Sequence, residues 1–207
     1  MQEDEEVARG SLQVVLRGGM MPGEHQWDDW SFFAGYLSHK SRMSEITVWS
    51  MAHVHGIQCG YRRDGEKKGQ KADKHATDLG KGMPTANLTV FKDNEEITEL
   101  HFIVSETQNK GVIGQIRIKT CLLSPDGSAG DVQEHTFGRV TDGKEHSFIT
   151  PPGHRLLCLS GSHDDAGLRE LGMVFVPKME RYAGLVRVCS AAVGCPYFVL
   201  WCTLAII

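Results

Sequence analysis

At 207 residues the chain is long enough for one domain with a full hydrophobic core and too short for two large ones. A formal net charge of -4, from 22 basic and 26 acidic residues, provides no positive field to gather phosphate backbones, which argues against nucleic acid as a partner. Six cysteines, scattered without a CxxC pair, read as buried, reduced thiols rather than a disulfide framework or a zinc site.

In chain order, residues 1–11 open with Glu3, Asp4, Glu5 and Glu6 and read as an acidic, disordered N-terminus. They lack the basic start and apolar core of a secretory signal, so a cytoplasmic location is expected. From 12 to 177 the apolar residues fall in short alternating runs separated by glycine-rich or charged segments, and no long stretch keeps a 3.6-residue period. Strands are predicted at 12–16, 46–55, 57–61, 88–91, 99–104, 115–120, 135–137, 147–150, 155–159 and 168–176. Pro125-Asp126-Gly127, Asp142-Gly143 and Pro152-Gly153 supply turns between them. Ile116 to Thr120 alternates a buried face with a wet one, the signature of an antiparallel sheet. The basic residues Arg62, Arg63, Lys67, Lys68, Lys71 and Lys74 are interleaved with Asp64, Glu66 and Asp73 and read as a solvated loop. Residues 178–207 form a C-terminal segment in which Val188 to Ile207 carries no charge and approaches the length that spans a bilayer. That run reads either as a membrane anchor, giving a membrane-associated protein, or as an apolar terminus folded onto the domain. Gly194 and Pro196 near its middle weigh against the anchor.

Three blocks carry a resemblance. The first is Gly18-Gly19, Gly23 and Trp27-Asp28-Asp29. The second is Ile97-Thr98 and Leu100, followed by Ile116 to Thr120. The third runs through Phe137-Gly138-Arg139, Phe148, Pro151 to Gly153, Leu156 to Gly161 and Leu168 to Phe175. In this order and spacing, over about four-fifths of the chain, they resemble the jacalin-related lectins. The resemblance implies an all-β domain over 12–177: a β-prism I of three four-stranded antiparallel sheets with pseudo-threefold symmetry, binding glycans through loops at one end. It implies recognition of mono- or oligosaccharides with no catalysis and no cofactor, and assembly into a homo-oligomer would add avidity.

Carried over residue by residue, Gly18 and Gly19 fit the opening loop, and Gly161 fits the glycine that starts the binding loop. The sugar-gripping aspartate of the family falls on Arg169, a departure from its pattern. Read from Gly161 instead, the segment Gly161-Ser162-His163-Asp164-Asp165 forms an extended loop, about four residues longer than the family's, in which Asp164 or Asp165 replaces the missing carboxylate. The alternative is a degenerate lectin fold that has lost its sugar and serves as a protein-interaction or membrane-tethered scaffold. Ser160, His163 and Asp164 include the residue types of a hydrolytic triad, but they are crowded into five positions without a nucleophile elbow, so catalysis is not expected. His53 and His55, two apart on a predicted strand, share a face but lack a second ligand pair, and no metal is expected. Trp27 reads as an anchor or a sugar-stacking ring. The cluster Trp30, Phe32, Phe33 and Tyr36 reads as a binding wall or as cover for one end of the prism.

Overall fold

The computed structural model describes residues 12–16, 24–33, 35–38, 40–77, 84–107, 110–124 and 128–178. The acidic N-terminus, Gly18 and Gly19, the Pro125-Asp126-Gly127 turn and the run from Val188 to Ile207 lie outside them. Three antiparallel sheets make up the fold. The first orders β1 (Leu12–Leu16), β13 (Gly167–Pro177), β12 (His154–Asp164) and β2 (His25–Asp28). The second orders β10 (Ala129–Gly138), β9 (Ile113–Leu123), β8 (Glu95–Ser105) and β11 (Gly143–Ile149). The third orders β5 (Gln70–Lys71), β4 (Val54–Arg63), β3 (Ser41–Ser50) and β7 (Thr85–Val90), with β6 (His75–Ala76) also paired to β4.

The alternation expected of Ile116 to Thr120 is present in β9. Ile116 and Ile118 are fully buried opposite Phe102 and Leu100 of β8, while Arg117 and Lys119 reach the outer face. Ile46, Val48 and Ile57 from the third sheet and Leu157, Leu159 and Leu171 from the first complete one apolar cluster fed by all three sheets. Burial of this kind is the main stabilising term, so loss of one methylene is felt. Ile116→Val is expected to lower unfolding free energy by about 1 kcal/mol in urea titration.

Several details differ from the sequence reading. The break expected at Gly56 lies instead at Met51–His53, and Gly56 sits inside β4. It is glycine because Ala76 packs on it: an added Cβ would lie 2.0 Å from the Ala76 Cβ. His53 accordingly belongs to the turn rather than to a strand shared with His55.

The third sheet has five strands rather than four, because its edge is split. Ile57 and Gly60 enclose two residues while their partners His75 and Lys71 enclose three, so Ala72–Lys74 bulges out of the ladder. Buried Ala72 is retained by its N–H donating to the Cys59 carbonyl (2.8 Å) and by Gln58 Nε2 donating to its own carbonyl (2.8 Å).

Between β2 and β3 a single helical turn, α1 (Asp29–Phe32), is capped by Asp28, whose carboxylate accepts from the Trp30 N–H at 2.9 Å and the Ser31 hydroxyl at 2.8 Å. Phe33 follows, buried edge-on against Tyr61 with ring centroids 5.4 Å apart. The Arg63 guanidinium lies 4.8 Å over the Tyr36 ring. The aromatic cluster thus covers the end of the prism at which β2 runs into β3, remote from the β12–β13 turn.

Candidate functional site

Hairpin tips from all three sheets are tied together at the other pole. The Arg139 and Val140 N–H groups, after β10, donate to the Ala52 carbonyl in the β3–β4 turn at 2.9 and 3.2 Å. The Thr107 hydroxyl, after β8, donates to Asp142 before β11. Gly167, at the start of β13, backs onto β4 so closely that a Cβ there would lie 2.7 Å from the Val54 carbonyl oxygen. β1 ends opposite Leu171 and β2 begins opposite His163, so the chain leaves and re-enters the first sheet at this pole, with Gly18 and Gly19 falling between, outside the described residues.

The segment expected to form a long loop is strand. Gly161 pairs with Leu171 on one side and Trp27 on the other, Ser162 with Glu170 and Gln26, and Asp164 with Gly167, leaving only Asp165-Ala166 to turn. The segment runs on as β12 rather than as a loop, because β13 on one side and, as far as His163, β2 on the other satisfy its backbone groups. Ser162 is completely buried, its hydroxyl donating to Glu170 Oε2 at 2.8 Å, so it supports the sheet rather than facing a ligand. Gly161 is enclosed too: a Cβ would lie 2.2 Å from the Glu170 carbonyl oxygen and 2.9 Å from the Trp27 ring.

Asp164, Asp165 and Arg169 are brought together at the tip. Asp164 Oδ1 accepts from the Ala166 N–H at 2.9 Å, closing the turn, and Oδ2 accepts from Arg169 Nε at 2.7 Å. Arg169 Nη1 donates to the Lys110 carbonyl at 2.7 Å, so one guanidinium ties the first sheet to the β8–β9 turn of the second. Both side chains keep about a fifth of their surface in solvent, 21% for Asp164 and 19% for Arg169. Asp165 is exposed. The departure at Arg169 therefore places a donor beside the acceptor Asp164.

Behind the tip runs a seam of rings, of which sequence reading singled out Trp27 and His163 but not His25 or His75. His163 faces His25 across the β12–β2 pair with centroids 5.1 Å apart. Trp27 lies flat on His75 of β6, centroids 4.2 Å apart and 5° between planes, which makes it an anchor between sheets rather than a free stacking platform. His75 Nε2 is 3.0 Å from Asp29 Oδ1, and the Tyr61 hydroxyl donates to Asp29 Oδ2 at 2.5 Å, with Asp29 wholly buried. Burial pushes the Tyr61 hydroxyl and the Cys59 and Cys158 thiols well above their ordinary values, so all three stay protonated and the thiols unreactive. The Trp-Asp-Asp block was a visible signal for Asp29. His25 and His75 sit in polar stretches with no pattern to mark them.

The opposite pole holds a cavity of about 90 Å³ with Met43, Phe91 and Leu156 in its floor and Arg42, Asp93 and Arg155 among its rim residues. Arg42 and Arg62 both bond the Asp93 carboxylate and hold it below the usual carboxylate range, which pins the turn from β7 to β8. Among the described residues no group of three or more His, Cys, Asp or Glu is set to hold a metal, and no helix is long and apolar enough to cross a membrane.

Three antiparallel sheets in this order define a β-prism I, the fold of the jacalin-related lectins. Solved structures of that group share it. A mannose-binding jacalin-related lectin from Ananas comosus matches with a TM-score of 0.59 and 15% identity over 81% of this chain and 99% of its own. A mannose-specific jacalin-related lectin from Morus nigra, in complex with mannose, matches with a TM-score of 0.58 and 14% identity over 81% and 95%. The Malaysian banana lectin matches at 0.55 and 15% over 81% and 99%. No protein-family model and no curated protein matches the sequence.

Proposed function

We propose that the chain is a carbohydrate-binding module that recognises glycans at the hairpin pole by hydrogen bonding, without chemical turnover. The observation that carries this reading is the Asp164–Arg169 pair at the tip, partly open to solvent and flanked by exposed Asp165. A sugar diol presents a donor and an acceptor on adjacent carbons. The lone pairs left on Asp164 accept from one hydroxyl, and the Arg169 guanidinium donates to its neighbour; charge-assisted bonds of this kind are the stronger ones. Backbone N–H groups at Gly18 and Gly19 would complete the contact, as the resemblance implies, since glycine lets a ligand approach the chain. Mannose binding by solved prisms of the same fold supports the ligand class.

The second reading, a prism used as an interaction scaffold, draws on the same pair, because both Asp164 oxygens already have intramolecular partners. A glycan array with the full chain separates the two. Wild type is expected to bind a subset of glycans. Asp164→Ala/Asp165→Ala and Arg169→Ala are each expected to weaken that binding at least tenfold, about 1.4 kcal/mol, with the β-sheet circular dichroism retained. Folded wild type that binds nothing on the array sinks the lectin reading in favour of the scaffold.

A further inference from the structure

The His25–His163 pair occupies a place where added charge has nowhere to go. β2 is four residues long, lies at the edge of its sheet and pairs there with β12 alone, while Trp27 anchors it on His75 of the third sheet. The two imidazoles face each other across that pairing at 5.1 Å, one exposed and one half-buried, and His163 Nδ1 is buried without a hydrogen-bond partner among the described residues. The charged groups around them are already engaged. On β12 and β13, Asp164 is held by Arg169 and by the Ala166 N–H, and Glu170 accepts from Ser162. On the α1 side, Asp28 caps the helix and Asp29 is shared by His75 and Tyr61. Glu24, exposed before β2, is screened by water, and His75 and Arg169 add like charge.

We infer that the His25–His163 pair is a proton-operated latch that holds β2 against the hairpin pole at neutral pH and releases it in mild acid. The latch regulates the pole proposed above as the glycan site, and in that respect rests on that reading. Imidazoles change charge between about pH 5 and 8, and two imidazolium rings at this separation repel across a strand pair that four residues hold together. Burial, then the neighbouring His25 and His75, lower the His163 value below its ordinary 6.5, with Asp164 raising it only in part. The sign follows from linkage. A histidine whose folded value is depressed contributes stability that is complete above about pH 6.5 and is lost as pH falls toward the folded value, because the open form takes up the proton first. Opening β2 uncovers the edge of β12 from Ser160 to His163, up to the residue before Asp164, and so loosens the grip on a bound sugar.

The test is hydrogen exchange of the full chain at pH 7.5 and 5.5, corrected for intrinsic rates, beside glycan binding at the same two pH values. Protection of the Gln26–Asp28 amides is expected to fall more than tenfold at pH 5.5 while β8 and β9 keep theirs, and glycan affinity is expected to fall about tenfold in parallel. His25→Gln, at an exposed position that leaves the half-buried ring untouched, removes the repulsion but not the burial of His163 and is expected to lose markedly less of both than wild type. Unchanged β2 protection in wild type, or equal opening in His25→Gln, overturns the latch. Opening that follows the prediction in a chain that binds no glycan at either pH overturns the lectin reading and leaves the latch in place.

Discussion

Asp29→Ala is expected to remove about 3 kcal/mol of unfolding free energy, the upper end for leaving buried hydrogen-bonding partners unsatisfied. Asp29 has no exposed surface and serves two groups from the third sheet: the Tyr61 hydroxyl at 2.5 Å and His75 Nε2 at 3.0 Å. Without the carboxylate, a fully buried phenol and a largely buried imidazole lose their acceptor together, and the Leu159 N–H that approaches the Tyr61 hydroxyl at 3.4 Å donates to it rather than accepting. Because His75 carries the Trp27 stack, the seam between the first and third sheets loosens with it. Asp29→Asn retains one carbonyl acceptor and is expected to recover about half of the loss. Urea titrations of the three proteins decide the matter. A change below about 1 kcal/mol for the alanine variant would show that the seam is held by apolar packing alone.

How much of this was legible follows from where the information sits. Ile116 to Thr120 announces itself because the pleat imposes a period of two on the chain, and Leu168 to Val176 because it is an apolar run buried on both faces. β2 does not: His25-Gln26-Trp27-Asp28 has one apolar residue, and it is a strand because β12 offers an edge to pair with, a tertiary fact. Gly56 reads as a break because glycine usually is one, whereas here it makes room for Ala76 across a strand pair. Asp164, Asp165 and Arg169 were each visible as candidates, and the ladder brings them to one tip. That Asp164 and Arg169 bond one another depends on a register shift between Ser162 and His163, which the linear sequence does not encode locally.

Gly161→Ala carries the second large expected effect and tests what that glycine is for. As the first residue of a binding loop it would be needed for close approach of a sugar; in the structure it is needed for close approach of the protein itself. A methyl group there would lie 2.2 Å from the Glu170 carbonyl oxygen, on the strand paired with β12, and 2.9 Å from the Trp27 ring. Overpacking costs about 1–3 kcal/mol where side chains can adjust, and a main-chain atom fixed in a ladder adjusts least, so a loss of about 3 kcal/mol is expected. Trp27→Ala relieves only the ring contact. The double variant Trp27→Ala/Gly161→Ala is therefore expected to stay at least as unstable as Gly161→Ala, since the carbonyl clash remains and the Trp27–His75 stack is gone. Denaturant titration of the single and double variants, read beside glycan binding, separates the two roles. A single variant that keeps its stability within about 0.5 kcal/mol while losing glycan would return Gly161 to the binding loop. A variant that loses stability while its folded fraction still binds assigns the glycine to packing, and leaves recognition to the Asp164–Arg169 tip.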